Sequence, residues 1–181
     1  MIEGEALVLP PEAAGAAKAY LRVERGDEDG LIAGLAAAAA ELCEAFVGEA
    51  LLERGFTETM NGSPAWRRLA RSPVRAITQI EAVADDGTAQ PLPSAAYGLD
   101  IDARGDGWVR LTSAGGVRRI RVGYRAGRAG GWAELPAALR QGILRLTAHF
   151  YTNRTTEGPR PGEPPAAVAA LWRPFRRLRL L

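Results

Sequence analysis

The sequence predicts an α+β fold in which an antiparallel β lobe is inserted into a mainly α-helical bundle. Apolar residues repeat with the period of a helix near both ends of the chain. Between them lie short apolar runs separated by turns that contain Gly and Asp. Aromatic residues make up only 7% of the 181 residues, while apolar residues make up 47%. This composition predicts a thin, helix-rich core, and the length is sufficient for one core with a smaller lobe.

Two helices are predicted before the lobe. The first runs from Glu12 to about Val23, after Pro10-Pro11, because proline is tolerated in a first turn where its missing N–H is not needed. The acidic run 27–29 then provides a cap and favourable charge for a second helix, which we expect to reach about Leu52. Its apolar stripe comprises Leu31, Ile32, Leu35, Leu42, Cys43, Phe46, Val47 and Leu51.

The β lobe begins with the change of period after Gly55. Residues 76–83 form the clearest strand, and Gly87 within the sequence 85–88 favours a tight turn because glycine accepts a positive φ. A short extended segment is predicted around Tyr97 and Leu99. The pairing of the first strand, within 55–69, is not determined by the sequence.

Two further strands, 108–112 and 117–124, are predicted to form a hairpin around the turn 113–116. In the second of these strands the apolar and basic side chains alternate. One face is therefore expected to be apolar and the other strongly basic. The apolar face would carry Ile120, Val122 and Tyr124, and the basic face Arg119, Arg121 and Arg125.

The C-terminal part returns to helical periodicity. A glycine-rich joint at 125–131 precedes a helix from about Glu134 to Asn153, and a Pro- and Gly-rich loop separates it from a short helix at 166–173. The resulting organisation is 1–55 (N-terminal helices), 56–131 (β lobe) and 132–181 (C-terminal helices and tail). We expect the first and third parts to pack as one unit.

No constellation of residues predicts an enzyme, a cofactor or a metal. His149 is the only histidine and Cys43 the only cysteine, so a zinc site of the usual kind is excluded. The segment 127–131 lacks the Gly-Lys-Ser/Thr ending of a phosphate loop, and 100–106 lacks the spacing of a calcium loop. With one cysteine, no export signal and no long apolar run, we expect synthesis in the cytoplasm and no membrane span.

The distribution of charge indicates docking. The net charge is only +2, but acids concentrate in the first third of the chain and none follows Glu163. The C-terminal tail combines four arginines with apolar residues, a composition typical of interfaces. We therefore predict a docking site comprising Trp172, Arg173, Phe175, Arg176, Arg177, Leu178, Arg179, Leu180 and Leu181. A second basic group, suited either to contact phosphates or to form a solvated face, comprises Arg110, Arg118, Arg119, Arg121 and Arg125.

Two alternatives to docking stay open at this stage. The arginine-rich strand and tail suit a nucleic-acid-binding module, whose affinity would fall steeply with salt. The apolar residues of the tail also suit packing within the chain itself.

Taken in order, segments throughout the chain resemble the head–tail connector (adaptor) proteins of tailed bacteriophages and of phage-like gene transfer agents. The resemblance begins at Leu9 and ends at Arg176, covering most of the chain. The matching segments are 9–12, 16–23 (AAKAYLRV), 27–32 (DEDGLI), 71–74 (RSPV) with Ile77 and Ile80, Asp86-Gly87, Tyr97, 122–124 (VGY), 135–143 (LPAALRQGI), 148–154 (AHFYTNR) and 170–176 (ALWRPFR).

This resemblance implies a non-enzymatic virion structural protein that forms a ring, commonly twelve-fold, beneath the portal. It implies as partners further copies of the chain, the portal protein and a tail-side stopper or terminator protein. DNA would pass through the ring without sequence-specific binding. The second basic group (Arg110, Arg118, Arg119, Arg121 and Arg125) would lie on a ring or channel surface. The protein would be made in the bacterial cytoplasm and incorporated at the head–tail junction, and the tail would be its attachment to the portal.

Overall fold

The computed structural model describes residues 1–113, 116–153 and 163–177, and it confirms the α+β class. The chain divides into two compact units, which we call the β unit and the helical unit. The β unit comprises Met1–Ala6 and Glu53–Arg128, and the helical unit comprises Leu7–Leu52 and Ala129–Leu181. The first six residues therefore belong with the strands, whereas the sequence had assigned 1–55 to the helices.

In the described residues of the helical unit there are four α-helices: α1 (Pro11–Leu21), α2 (Asp29–Val47), α3 (Ala137–Thr152) and α4 (Ala166–Trp172). Helix α2 packs against the other three. By length and composition α2 is apolar enough to cross a membrane. Several of its side chains are nevertheless buried in this unit, and a core helix meets the same criterion. The main core comprises Ala13, Ala39, Ala40, Cys43, Val47, Leu51, Leu52, Ala129, Trp132, Leu135, Leu139, Ile143, Leu146, Val168 and Trp172.

The predicted extension of α2 to Leu52 is wrong, because the helix ends five residues earlier. Gly48 has φ +74°, a left-handed conformation that glycine adopts without a steric cost, and its N–H donates to the Glu44 carbonyl at 2.9 Å. The N–H of Leu51 then donates to the Glu44 carboxylate at 2.7 Å. The residues after Gly48 are thus held in the core without being helical.

The β unit contains two antiparallel sheets. Their strands are β1 (Ile2–Gly4), β2 (Arg54–Asn61), β3 (Arg67–Arg68), β4 (Val74–Val83), β5 (Ala89–Pro91), β6 (Tyr97–Ile101), β7 (Gly107–Leu111) and β8 (Arg119–Ala126). The five-stranded sheet has the order β1-β2-β8-β4-β5, and the three-stranded sheet has the order β3-β7-β6. The alternation predicted for β8 is confirmed, since Ile120, Val122 and Tyr124 are buried, whereas Arg119, Arg121 and Arg125 are not.

The predicted hairpin between β7 and β8 is wrong. The two strands belong to different sheets: β7 pairs with β6 and β3, whereas β8 pairs with β2 and β4. Strand β8 is eight residues long and finds full-length partners in β2 and β4, while β7 has five residues and matches β6 along its whole length. Strand length and burial, rather than proximity in sequence, decide this pairing.

The pairing of β2, which the sequence had left open, is with β1 and β8. A partly buried polar network then fixes the segment after β3. The Glu58 carboxylate accepts hydrogen bonds from the Ala70 N–H (2.8 Å) and the Tyr124 hydroxyl (3.3 Å), and the Tyr124 oxygen accepts one from the Arg71 N–H (3.2 Å). Burial, together with the Glu58 charge, raises the pKa of Tyr124 above its usual range.

Candidate docking surfaces

The predicted docking segment begins inside the core of the helical unit. Trp172, the last residue of α4, is fully buried, with 0% exposure. Its indole N–H donates to the Leu139 carbonyl at 3.3 Å, and its ring lies 5.8 Å from the Phe46 ring, centroid to centroid. For Trp172, the structure therefore shows packing within the chain, the alternative that the sequence had left open.

Gly142 of α3 makes room for this indole. A Cβ atom placed at Gly142 would lie 2.1 Å from the Trp172 Nε1 atom, a distance that real carbon atoms do not reach. The predicted motif 135–143 thus contains a glycine for a packing reason, since only glycine allows α3 and Trp172 to approach so closely.

The residues after Trp172 continue along the same unit. Phe175 is partly buried against the core, and the Arg176 guanidinium lies 5.6 Å from the centre of the Phe46 ring. Arg177 forms an ion pair with the Glu49 carboxylate, which is buried, and its N–H donates to the Val47 carbonyl at 2.8 Å. Arg177 therefore serves as a partner for a buried charge at the end of α2.

Replacing Arg177 with alanine should lower the free energy of unfolding of the protein by about 2 kcal/mol, because a buried carboxylate loses an ionic partner. Denaturant unfolding of the two proteins measures this difference. The matched control is Arg173→Ala, since Arg173 is exposed and one turn away. Equal effects of the two substitutions would contradict a structural role for the ion pair.

These contacts narrow the surface that the tail offers to a partner. Arg173 and Arg176 are exposed, whereas Trp172 is not accessible and Arg177 is engaged with Glu49. Leu178, Arg179, Leu180 and Leu181 lie outside the described residues. Docking by the tail stays a prediction for those four residues and for the exposed arginines that precede them.

The basic face of β8 is largely engaged with neighbouring strands and turns. Arg121 lies 3.7 Å from the carboxylate of Glu81 on the neighbouring strand β4, and Arg125 lies 2.7 Å from the Glu53 carboxylate. Arg119 donates to the Ala84 carbonyl at 3.0 Å. The Glu53 hydrogen bond raises the pKa of Arg125, which is charged in any case. Such pairing reduces the charge available for binding phosphates.

The other two arginines of the predicted basic group lie elsewhere. Arg110 is on β7, in the three-stranded sheet, and its guanidinium stacks 4.8 Å from the centre of the Trp66 ring. Arg118 is exposed just before β8. The structure therefore brings Arg118, Arg119, Arg121 and Arg125 into one region and places Arg110 on the second sheet.

Two exposed apolar surfaces were not predicted. The first is a groove of about 640 Å³ in the helical unit, lined by the segment 7–11, by α1 and by α2. Small residues such as Ala14, Gly15, Ala33 and Ala37 leave this space open, and Val8 is 75% exposed beside it. The sequence signal for this space is the alanine-rich run 36–40 of α2, since alanine side chains leave room beside a helix.

The second surface surrounds β6, the terminal strand of the three-stranded sheet. Leu99 and Ile101 of β6 are each 40% exposed, and Trp66 is 43% exposed next to Gly98 and Arg110. Register places Leu99 on the face of Val109, and Gly98, near Trp66, on the face of Arg110. Apolar side chains therefore flank β6 on both faces, and we call this surface the β6 wedge.

The side chains that could react or bind a metal have structural roles here. Cys43 is fully buried, and burial, with the Glu44 charge, raises the pKa of its thiol far above the usual range. The His149 Nδ1 atom lies 3.1 Å from the Asn153 amide at the end of α3. The Asp102 carboxylate accepts bonds from the N–H groups of Arg104 and Asp106 and from the Trp108 indole, which organises a turn. Across the described ranges, no group of three or more potential metal ligands occurs.

The fold is similar to those of chains in particle necks. One chain, in the neck of an empty gene transfer agent particle computed with C6 symmetry, is 25% identical, with a TM-score of 0.78. Another, in the neck of the native particle computed with C12 symmetry, is also 25% identical, with a TM-score of 0.76. A third, in the virion of the native particle, is 24% identical, with a TM-score of 0.75. Each comparison covers 100% of this chain and 97% of the other.

No protein-family model matches the chain, and no curated protein matches its sequence. The similarity to the neck chains nevertheless extends over the whole protein and includes both the strands and the helices. It also agrees with the resemblance carried by the sequence segments. The full-length similarity therefore supports a structural head–tail neck protein of a phage-like particle.

Proposed function

We propose that this protein is the head–tail adaptor of a phage-like particle. It forms a ring beneath the portal, extends the DNA channel and joins the capsid to the tail components. The observation that carries this proposal is the full-length similarity to chains of particle necks that were computed with C12 and C6 symmetry. A role in a ring with either symmetry requires several copies of the chain.

The proposed partners follow from this position. Neighbouring copies lie on both sides of each subunit, the portal lies above, and a stopper or terminator protein lies on the tail side. DNA passes through without sequence-specific binding. The ion pairs of Arg121 and Arg125 support that last point, because charges neutralised within the chain do not hold a moving duplex tightly. Synthesis in the bacterial cytoplasm precedes incorporation into the particle.

Electron microscopy of the portal with and without this protein tests the adaptor role. We expect an additional ring on one end of the portal only when the protein is present, with the rotational symmetry of the portal or a simple fraction of it. Binding as scattered single subunits, or no binding at purified concentrations that saturate comparable assemblies, would contradict the proposal.

Removal of Leu178–Leu181 should abolish portal attachment while leaving the fold intact. The deletion begins after Arg177, so it keeps Trp172 in the core and preserves the Glu49 ion pair. Co-sedimentation with portal measures binding, and circular dichroism measures folding. A matched variant that retains the length but carries serine at positions 178, 180 and 181 separates apolar docking from chain length. Full binding by the folded deletion variant would show that the portal contact lies elsewhere.

A further inference from the structure

We propose that the groove of the helical unit receives the β6 wedge of a second copy of this chain. The groove is the space lined by 7–11, α1 and α2, and the wedge is β6 with Trp66. This inference rests on the proposed function, since it names the lateral contact through which neighbouring subunits of the ring meet. The contact joins two different surfaces of identical chains.

The apolar character of the two surfaces supports the contact. The groove is lined mainly by aliphatic residues, including Leu7, Leu9 and Ile32. The wedge presents Leu99 and Ile101 on one face of a single strand and Trp66 near its other face. A terminal strand flanked by apolar side chains is narrow enough to enter a groove, and burial of such side chains removes apolar area from water on both partners.

The charges around the two surfaces are opposite. Residues 11–29, which form and border the groove, carry five acids and three bases. The segments 63–72 and 93–113, which form the three-stranded sheet and its connections, carry five arginines and three acids. Glu24 and Asp27 of the first segment and Arg67 and Arg68 of the second are exposed, and Arg68 lies 3.6 Å from the Asp106 carboxylate. Opposite charge favours encounter between these surfaces and disfavours groove-to-groove or wedge-to-wedge pairing.

The stacking of Arg110 on Trp66 adds to this complementarity. The guanidinium holds the indole in place from one side, so that Trp66 is ordered before any partner binds. A pre-positioned aromatic side chain loses less conformational freedom when a contact forms. Trp66 is therefore suited to act as an anchor residue of the interface.

A contact between two different surfaces of identical subunits leads to a ring. A surface that pairs with itself closes a two-fold dimer, whereas two different surfaces on each copy propagate head to tail and close into a ring. The groove and the wedge lie on different units of the chain and have different shapes and charges. A contact between them is consequently of the kind that a ring needs.

Cysteine cross-linking tests the pairing. Ala33, exposed in the groove, and Leu99, on the wedge, are each replaced by cysteine, and a flexible bismaleimide joins thiols that come close. Cys43 stays in place because it is buried and its thiol resists ionisation. The double variant Ala33→Cys/Leu99→Cys should give a ladder of multimers, an equal mixture of the two single variants should stop at dimers, and each single variant alone should give none.

Blocking variants provide an independent measurement. Ala33→Trp fills the groove and Trp66→Asp removes the anchor of the wedge. The association constant of each variant, measured by sedimentation equilibrium, should therefore be lower than that of the wild type by about tenfold or more. Mixed together, they should recover a heterodimer with the wild-type affinity, because each retains one intact surface. The opposite charges predict that Arg67→Glu weakens association and that Asp27→Arg in the partner copy restores it.

Several outcomes overturn the inference. Dimers of Leu99→Cys alone would indicate two-fold wedge pairing, and unchanged association of both blocking variants would place the contact elsewhere. If these variants still form a complete ring on the portal, the lateral contact is wrong and the adaptor role stands. If multimers form through the groove but nothing binds the portal, the adaptor role fails and the contact between copies stands.

Discussion

Replacing Trp172 with alanine should lower the free energy of unfolding of the protein by about 3–5 kcal/mol, the range for deletion of a buried indole. The side chain is fully buried, donates to the Leu139 carbonyl and packs against the Phe46 ring. Its loss leaves a cavity between α3 and α4 and removes the hydrogen bond from the indole to the Leu139 carbonyl. Denaturant unfolding at equilibrium measures the effect.

Two controls make this prediction specific. Trp66→Ala removes the same atoms from a residue that is 43% exposed, and it should cost less than ~1 kcal/mol. Trp172→Phe keeps an aromatic ring but removes the Nε1–H donor, so it should fall between wild type and Trp172→Ala. If Trp172→Ala unfolds with the free energy of the wild type, the packing of Trp172 in the core is wrong.

Replacing Gly142 with alanine should lower the free energy of unfolding by about 3 kcal/mol, although alanine is the better helix former. The new methyl group would lie 2.1 Å from the Trp172 Nε1 atom, so the indole must leave its position. The matched control is Gly34→Ala in α2, where nothing lies within 4 Å of the new methyl group. That substitution should raise the free energy of unfolding by about 1 kcal/mol.

Opposite signs for the same substitution in two helices would isolate packing from helix propensity. Combining Gly142→Ala with Trp172→Phe extends the test, because the smaller ring no longer places a nitrogen against the methyl group. The double variant should then lose less free energy of unfolding than the sum of the two single losses, by roughly 1 kcal/mol or more. Strict additivity would mean that the two residues do not compete for the same space.

The contacts of Trp172 and Arg177 determine where the tail can be truncated without unfolding the protein. A truncation before Trp172 removes a core side chain and the partner of Glu49, so a loss of portal binding after it would reflect unfolding. Truncation after Arg177 leaves both contacts in place. The boundary between folding and docking residues thus lies within the run of arginines and apolar residues that the sequence presents as continuous.

The helices and the alternation of β8 were predictable because they depend on local repeats. A stripe with helical spacing buries one side of α2, and alternating side chains bury one side of β8, whatever surrounds them. Strand pairing was not predictable in the same way. The sequence pairs β7 with β8 as neighbours, but β8 is matched in length by β2 and β4, which lie far away in the chain. The three-residue β1 gave no periodic signal at all.

The candidate surfaces were likewise predictable only where they depend on local sequence. Sequence by itself determined the fold class, the resemblance to head–tail connectors and the interface-like composition of the tail, because composition and periodicity are properties of the chain. Only the tertiary structure decided that Trp172 belongs to the core, that the β8 arginines meet Glu53, Glu81 and the Ala84 carbonyl, and that the groove and the β6 wedge stay exposed. The physical reason is that burial and charge pairing depend on residues distant in sequence, and the same tryptophan or arginine serves packing or docking according to what the fold brings beside it.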